Sequence, residues 1–141
     1  SSPRQIPGSW NKIASGSYAN YGTKTDGTLW GWGRNINGEL GQNALGTPAG
    51  PANQGYSSPV QIPGTTWETI INLGNKAAGA TKSDGTFWSW GSNTYGQLGL
   101  NDKTQRSSPT QVPGTTWDID AVIKPCPASN GAGHFILRKV A

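Results

Sequence analysis

The sequence predicts an all-β protein built from repeated sets of short strands. Three observations predict this fold class. Two phrases of the sequence recur along the chain at intervals of about 50 residues, which is the scale of a repeated structural unit. Asp-Gly pairs, which are typical of tight turns, are followed by residues that alternate between large and small side chains. No segment shows the sustained apolar period of an amphipathic helix.

The composition is that of a single ordered domain covering residues 1–141. The chain has 141 residues, of which 21 are glycine, 7 are tryptophan and 13% are charged. So low a charge is untypical of disordered chains, and the indole side chains need a core to cover them. No apolar run reaches the length of a membrane-spanning helix, and Cys126, the only cysteine, excludes a disulfide within the chain. Because the first residue is Ser1 and no signal-peptide pattern follows it, we expect a processed product or a piece of a longer chain.

The repeated phrases divide the chain into two full units and a partial third. The first phrase reads SSPRQIPG from residue 1, SSPVQIPG from residue 57 and SSPTQVPG from residue 107, and each copy leads into a tryptophan: Trp10, Trp67 and Trp117. The second phrase, TKTDGTLWGWGRNINGELG, returns as TKSDGTFWSWGSNTYGQLG and has no third copy. The predicted units are about 1–56, 57–106 and 107–141.

The Asp-Gly pairs predict hairpins. One pair is Asp26 and Gly27, and the other is Asp84 and Gly85. A two-residue hairpin loop of type I′ needs a positive φ at both central positions, and Asp-Gly is a preferred sequence for it. We therefore expect a two-residue loop at each pair, with the aspartates serving the turn rather than catalysis.

The segments after the hairpins alternate like strands. The period of two places Trp30 and Trp32 on one face of the first segment, and Trp88 and Trp90 on one face of the second. The other face of each segment carries smaller side chains, so the pattern predicts sheets that stack a large face on a small one. Pro-Gly pairs end the strand before the first tryptophan of each unit. Recurrence in register favours packing between sheets over a ligand site.

A period near 50 residues with four short strands per unit is typical of a β-propeller blade. The phrases DGTLWGWGRNINGELG and DGTFWSWGSNTYGQLG resemble the repeat of the regulator of chromosome condensation family. Glu39 stands where that family has Gln, which Gln97 retains. The resemblance implies a propeller, usually of seven blades, in which each sequence unit straddles two adjacent blades.

The chain is short for a complete ring. Seven blades of about 50 residues need roughly 350 residues, and this chain supplies fewer than three blades. An isolated arc exposes apolar sheet faces and open strand edges. We expect the ring to be completed by the rest of a longer chain, by further copies of this chain or by a different protein.

Residues that could catalyse a reaction or bind a metal are few. Asp118 and Asp120 are two apart, so a strand places both carboxylates on one face, but no third ligand accompanies them. His134 is the only histidine, and with Cys126 alone it indicates neither a zinc site nor a catalytic triad. We predict that the chain is not an enzyme and holds no cofactor and no metal.

The charge pattern disfavours a dedicated nucleic-acid role. The 11 Lys and Arg residues against 7 Asp and Glu give a net charge of +4 and a pI near 9.4, but the basic residues are dispersed. Tryptophans can also stack on sugar rings when they are exposed, so a carbohydrate-binding propeller stays open as an alternative.

Partner binding is expected where the units differ, because loops over a rigid scaffold commonly carry function. The candidate partner-binding residues are Tyr18, Asn20, Tyr21, Gln54, Tyr56, Thr94 and Tyr95. The leading hypothesis is a non-enzymatic structural and protein-interaction module, whose partners are further copies or chains that complete the propeller. Low charge and scarce cysteine favour an extracellular or virion-surface location. The resemblance implies an alternative, which is guanine-nucleotide exchange on a small GTPase or chromatin binding.

Overall fold

The computed structural model describes residues 2–45, 55–74, 76–118 and 138–139 of the chain. Every regular element in these residues is a β-strand, and none of them is helical. The strands are β1 (Trp10–Ser15), β2 (Ala19–Lys24), β3 (Leu29–Gly33), β4 (Tyr56–Ile62), β5 (Trp67–Asn72), β6 (Ala77–Lys82), β7 (Phe87–Gly91), β8 (Arg106–Val112), β9 (Trp117–Asp118) and β10 (Arg138–Lys139).

The first eight strands form two four-stranded antiparallel sheets, which we call blade 1 and blade 2. Blade 1 has the order β1-β2-β3-β4 and blade 2 the order β5-β6-β7-β8, so each is a simple meander. The prediction of an all-β fold with four-stranded antiparallel blades is confirmed. The unit boundaries predicted near 57 and 107 fall inside β4 and β8, so the fourth strand of each blade comes from the start of the next sequence unit.

A third sheet begins in the same register as the first two. β9 pairs with β10 in antiparallel, with Trp117 opposite Lys139. The first tryptophan of each complete blade likewise lies opposite a lysine, Lys24 in blade 1 and Lys82 in blade 2. β9 and β10 therefore occupy the places of the first two strands of a third blade.

The hairpins between the second and third strands have three-residue loops, so the predicted two-residue type I′ turns are wrong. A hydrogen bond of 2.9 Å from the Lys24 N–H to the Thr28 carbonyl closes the first loop around three residues. Gly27 has a φ of 79°, whereas Asp26 has no positive φ. The Asp26 carboxylate accepts hydrogen bonds from the N–H and the hydroxyl of Thr28, at 3.0 and 2.6 Å. These bonds hold the aspartate in ordinary backbone space and leave the left-handed conformation to glycine.

The second hairpin repeats this arrangement. The Lys82 N–H donates to the Thr86 carbonyl at 3.0 Å, and the Asp84 carboxylate accepts from the N–H and hydroxyl of Thr86. Gly85 alone has a positive φ, of 80°. The same five positions therefore give the same loop in both blades.

The main core lies between the two blades. Each blade has a tryptophan face, which carries Trp10, Ile13 and Trp32 in blade 1 and Trp67, Ile70 and Trp90 in blade 2. The tryptophan face of blade 2 packs on the opposite face of blade 1, where Tyr21, Leu29, Leu40 and Ile62 are buried. The Trp90 ring meets the Tyr21 ring edge-on at 6.4 Å between centroids. This is the stacking of a large face on a smaller one that the alternation predicts.

On the face opposite the tryptophans, the two blades carry their largest side chain on different strands. Blade 1 has Tyr21 on its second strand, where blade 2 has Gly79. On the third strand blade 2 has the larger side chain, Phe87, in place of Leu29. A Cβ on Gly79 would lie 2.5 Å from Cζ of Phe87, so the phenyl ring fills the space that the tyrosine takes in blade 1. The exchange keeps the interior filled, as close packing requires.

The blades are also joined through their backbones. The N–H of Trp67 donates to the carbonyl of Gly27 in the hairpin of blade 1 at 2.9 Å, and the N–H of Trp117 donates to Gly85 at the same distance. The residues just before them, Thr66 and Thr116, have φ values of 64° and 66°. A β-branched side chain is strained in this region of φ, so each junction stores strain beside its hydrogen bond.

Candidate functional site

The connections after the first and third strands of both blades meet at one end of the structure, which we call the loop end. The hairpins and Pro-Gly turns lie at the other end. A hydrogen bond of 3.4 Å from Asn37 Nδ2 to Gln105 Oε1 joins the connection that follows β3 to the one that follows β7. The loop end is therefore one surface to which both blades contribute.

Buried asparagines hold the loops that follow the third strands. Asn35 Oδ1 accepts the N–H of Leu40 at 3.0 Å, and Asn35 Nδ2 donates to the carbonyl of Ala44 at 3.1 Å. In blade 2 the Asn93 side chain accepts the N–H of Leu98 at 3.0 Å and donates to the carbonyl of Asp102 at 2.9 Å. Each asparagine side chain thus makes the hydrogen bonds to the loop backbone that a neighbouring strand would otherwise make. These bonds hold the backbone of both loops in place beneath their exposed residues.

The Glu39 carbonyl is the central acceptor of the junction between the blades. It accepts hydrogen bonds from the Tyr21 hydroxyl at 2.8 Å and from Trp90 Nε1 at 2.7 Å, and all three residues are buried. Burial raises the pKa of the Tyr21 hydroxyl far above its usual range, so this group stays a donor. The junction therefore ties the loop of blade 1 to the third strand of blade 2.

The Glu39 side chain lies in the same junction. Its carboxylate is 1% exposed, and Oε2 accepts the N–H of Asn37 at 2.7 Å. Oε1 lies 3.9 Å from Nε of Arg34, and both of these buried atoms have no hydrogen-bond partner. Burial raises the pKa of the Glu39 carboxyl, against the lowering effect of the backbone N–H groups of Glu39 and Asn37 and of the Arg34 and Lys76 charges.

Arg34 connects this buried carboxylate to the surface. Its guanidinium lies over the Tyr18 ring, 4.6 Å from the centroid, and the N–H of Arg34 donates to the carbonyl of Tyr18 at 2.8 Å. Tyr18 is 46% exposed. The pair is a stacked cation and aromatic ring facing solvent, which is a common element of binding surfaces.

The loop of blade 2 carries a second exposed aromatic residue. Tyr95 is 84% exposed, and its neighbour Thr94 is exposed as well. The N–H of Tyr95 donates to Oε1 of Gln97 at 2.9 Å, which fixes the backbone beneath the ring. A phenol in this position has little to pack against within the described residues.

The structure separates the seven predicted partner-binding residues into groups. Tyr18, Thr94 and Tyr95 lie exposed at the loop end, where they stay candidates. Asn20 and Tyr56 are half-buried in β2 and β4. The inclusion of Tyr21 is wrong, because this residue is 1% exposed and its side chain belongs to the blade junction. Gln54 lies outside the described residues.

The sequence reasoning missed Arg34, Glu39 and Lys76. A signal for the first two was present in the repeat alignment. Arg34 and Glu39 stand where the second copy has Ser92 and Gln97, so two charges of opposite sign replace two neutral residues at once. Lys76 falls in a connection where the copies differ in length, and no pattern singles it out.

The repeated tryptophans pack against other residues of the fold. Trp67 and Trp90 are buried, whereas Trp10, Trp30, Trp32, Trp88 and Trp117 are half-buried. Nζ of Lys24 lies 3.9 Å from the Trp30 ring centroid and 5.2 Å from that of Trp10, and Lys82 lies in the same way between Trp88 and Trp67. The half-buried indoles at the hairpin end are thus covered by a lysine of their own blade.

The carboxylates of the hairpins are structural. Hydrogen bonds from Thr28 hold the pKa of Asp26 below its usual range, and those from Thr86 do the same for Asp84. Among the described residues there is no cluster of three or more metal-ligating side chains, and no helix long enough to span a membrane. Asp120, Cys126 and His134 lie outside the described residues, as does the side chain of Asp118, so the roles expected for them stay predictions.

Comparison with known proteins extends these observations. The family model of the regulator of chromosome condensation repeat matches residues 26–71 and 84–123, and a second model of the same repeat matches residues 10–39. Protein RCC2 from Homo sapiens is 32% identical over 96 residues, covering 65% of this chain and 17% of RCC2. The ultraviolet-B receptor UVR8 from Arabidopsis thaliana is 30% identical over 95 residues, covering 67% of this chain and 20% of the receptor. The chain thus spans about a fifth of the length of these relatives.

Solved structures share the fold. Prp20p from Saccharomyces cerevisiae, described with its binding properties to Gsp1p and histones, superposes with a TM-score of 0.65 at 21% identity over 82% of this chain and 27% of Prp20p. Prp20 bound to Kap60 gives a TM-score of 0.63 at 20% identity, covering 82% of this chain and 26% of that one. Human WBSCR16 gives 0.58 at 22% identity, covering 76% of this chain and 26% of WBSCR16. At these identities the likeness shows the fold alone.

The extracellular or virion-surface location expected from composition is wrong. The similar proteins come from human, plant and yeast, and Prp20p is described with its binding properties to histones, which are chromatin proteins. Low charge and scarce cysteine therefore do not report a compartment. Two strand-for-strand equivalent blades, the repeated DGTxWxWG phrase and the matched family models together show that the chain belongs to the regulator of chromosome condensation repeat family.

Proposed function

We propose that this chain is a non-enzymatic protein-interaction segment of a β-propeller, and that its partner protein contacts the loop end. The observation that carries the proposal is the pair of exposed aromatic residues, Tyr18 and Tyr95. The carbonyl of Tyr18 is held by the N–H of Arg34, and Tyr95 lies in the loop that the buried Asn93 side chain holds. Tyrosine and arginine are enriched among the residues that dominate binding energy at protein interfaces. A rigid loop loses little conformational entropy when it binds.

The tryptophan face of blade 1 supports a second part of the proposal, which is that another blade covers it. In blade 2 the same face is closed by blade 1, and Ile70 is 5% exposed. In blade 1 the equivalent Ile13 is 57% exposed. A blade of the same kind, from a longer chain or from another chain, has the matching surface.

A second candidate function comes from the relatives. Prp20p is described with binding properties to Gsp1p and histones, and a further structure shows it bound to Kap60. Guanine-nucleotide exchange needs a surface that distorts a partner's nucleotide site and no covalent chemistry in the protein that binds it. The chain spans 27% of Prp20p, so exchange activity itself is assigned to a complete ring in this proposal.

The test is binding of purified Gsp1p and of core histones to the immobilised chain. We expect Tyr95→Ser and Tyr18→Ser each to weaken binding of the accepted partner by about tenfold or more, as for an interface anchor. Ser83→Ala at the hairpin end is the matched control and should bind like the wild type, since Ser83 is exposed and far from the loop end.

Two results contradict the proposal. Binding that survives both tyrosine substitutions places the partner elsewhere on the molecule. Binding to a glycan array, with tryptophan fluorescence protected by a sugar and no protein bound, favours the carbohydrate alternative.

A further inference from the structure

Blade 1 carries a charged pair at the loop end where blade 2 carries a neutral pair. Arg34 and Glu39 occupy the positions of Ser92 and Gln97, and the backbone is held in the same way in both blades. The N–H of residue 34 and the N–H of residue 92 each donate at 2.8 Å to the carbonyl at the turn after the first strand. The neutral pair of blade 2 is therefore sufficient for this loop to form, and the loop of blade 1 does not need the two charges for its backbone hydrogen bonds.

The charged pair is unfavourable for the fold taken alone. The Glu39 carboxylate is 1% exposed, and its Oε1 makes no hydrogen bond. The separation of 3.9 Å from Arg34 Nε is too long for a hydrogen bond, so the ion pair is loose. Burying a charge costs free energy because the ion loses its hydration, and only good geometry and full hydrogen bonding offset that cost. A costly ion pair of this kind is expected where its cation takes part in binding a ligand.

The guanidinium of Arg34 is oriented by its neighbours and remains partly exposed. It is stacked on Tyr18 at 4.6 Å on one side and faces the buried Glu39 on the other, while its side chain is 28% exposed. Its planar fork of N–H donors matches a carboxylate in two parallel hydrogen bonds. Lys76 is exposed on the neighbouring blade and close enough for its charge to act on Glu39. Positive charges from both blades thus act on the Glu39 carboxylate.

We propose that Arg34 binds a carboxylate side chain in an acidic segment of the partner protein, with Lys76 adding a second positive charge and Glu39 acting as a positioning residue. This inference rests on the proposed function, because it names the chemistry of the partner at the same surface. A nucleic acid is the less suitable ligand. Arg106, another cation of the loop end, is neutralised by Asp102 at 2.6 Å, so the described part of this surface lacks the continuous positive charge that a phosphate backbone needs.

The test uses the full chain and a short fluorescent peptide of alternating Asp and Gly, with an Asn-Gly peptide of equal length as the reference. The double variant Arg34→Ser with Glu39→Gln copies the pair of blade 2, keeps the net charge and is expected to fold. We expect it to lose about tenfold or more in affinity for the acidic peptide, the usual scale for a charge-assisted bidentate contact. Lys103→Ser removes an exposed cation of a neighbouring loop and is expected to change the affinity by about twofold or less.

Two single variants separate positioning from folding. Arg34→Lys keeps the charge but not the fork, and we expect most of the affinity to be lost. Glu39→Gln is expected to weaken peptide binding while the denaturation midpoint stays the same or rises, a combination that a purely structural role does not produce. If the double variant does not fold, Arg34→Lys carries the test by itself.

The proposal is overturned if the Asn-Gly peptide binds as well as the acidic one, if the double variant binds like the wild type, or if Arg34→Lys does. Duplex DNA that binds more tightly than the peptide, without dependence on Arg34, also overturns it and favours a nucleic-acid ligand. If the chain binds Gsp1p or histones through its tyrosines but ignores the acidic peptide, only this inference fails. If it binds no protein at all, the proposed function fails as well.

Discussion

Blade 1 and blade 2 have the same strands, the same hairpins and the same tryptophans, yet their tryptophan faces are in different environments. Trp67 is 4% exposed and Trp90 is fully buried, whereas Trp10 and Trp32 at the same positions are only half-buried. The difference lies in the neighbour, because blade 1 covers the tryptophan face of blade 2. Blade 2 is therefore incomplete by itself, and its core is completed by blade 1, which precedes it in the chain.

A second difference concerns the loops rather than the faces. The loops held by Asn35 and Asn93 are bonded in the same way within each blade. The residues beside these asparagines differ, with Arg34 and buried Glu39 in one blade and Gln97 and buried Ser92 in the other. The repeat thus keeps its internal hydrogen bonds and varies what it presents to solvent and to the junction.

The largest expected effect is on the covered face. Trp90→Ala should lower the free energy of unfolding by about 3–5 kcal/mol, since it empties a buried site and leaves the Glu39 carbonyl without one donor. Trp32→Ala removes a half-buried ring and should cost roughly 1–2 kcal/mol. Urea denaturation followed by circular dichroism measures both. Equal costs for the two substitutions would mean that the blade junction is not what stabilises the tryptophan face.

The loop asparagines are expected to be equivalent. Asn93→Ala leaves the buried N–H of Leu98 without an acceptor and should cost about 1–3 kcal/mol, and Asn35→Ala should cost a similar amount through Leu40. Denaturation midpoints of the two variants, with exposed Ser57→Ala as the control, test this. A large difference between the asparagines would show that the loops depend on the neighbouring blade.

A smaller effect on stability is expected at the residue that precedes the first strand of each blade. Thr66→Gly should raise the free energy of unfolding by roughly 0.5–1 kcal/mol, because glycine adopts the positive φ without strain. Ser9, which precedes β1, has no positive φ, so Ser9→Gly should destabilise by about 0.5 kcal/mol. Thermal melts of the two variants are sufficient. The same sign for both changes would contradict the strain assigned to Thr66.

The smallest effect depends on pH. Burial raises the pKa of Glu39 in the folded chain, so its contribution to stability is fully present below the unfolded pKa and is lost as pH rises through the folded pKa. Glu39→Gln lacks this loss and should gain stability over the wild type across that interval. Urea midpoints from acidic to neutral pH give the comparison, with Gln97→Glu as a half-exposed control. A gap between wild type and Glu39→Gln that is constant with pH would show that the carboxyl keeps its usual pKa.

The sequence predicts the blades well because their signals are local. The alternation around Trp30 and Trp88 follows from the period of a strand, and the recurrence of two phrases sets the number of units. The predicted type I′ turns fail at a local level too, since the threonine after each Asp-Gly pair donates to the aspartate within a three-residue loop in which only the glycine has a positive φ. A turn rule that ignores the next residue does not capture this.

The candidate site is predicted only in part. Tyr18 and Tyr95 stand out because they break the repeat, and the structure leaves both exposed. Tyr21 breaks the repeat for a different reason, which is the exchange of bulk with Gly79 and Phe87 across two strands. Departure from a repeat marks a change of role, but it does not distinguish a change in packing from a change in binding.

The sequence by itself determined the all-β class, the four-stranded blades and the family, because strand period, turn residues and repeat phrases act over neighbouring residues. Only the tertiary structure decided which tryptophans are covered, that Tyr21 belongs to the core, and that Arg34 lies beside Glu39 at a junction of two blades. These facts depend on contacts between residues far apart in the chain. The burial of a side chain, and the free energy needed to bury its charge, depend on what packs against it. The repeat pattern alone does not show which residues those are.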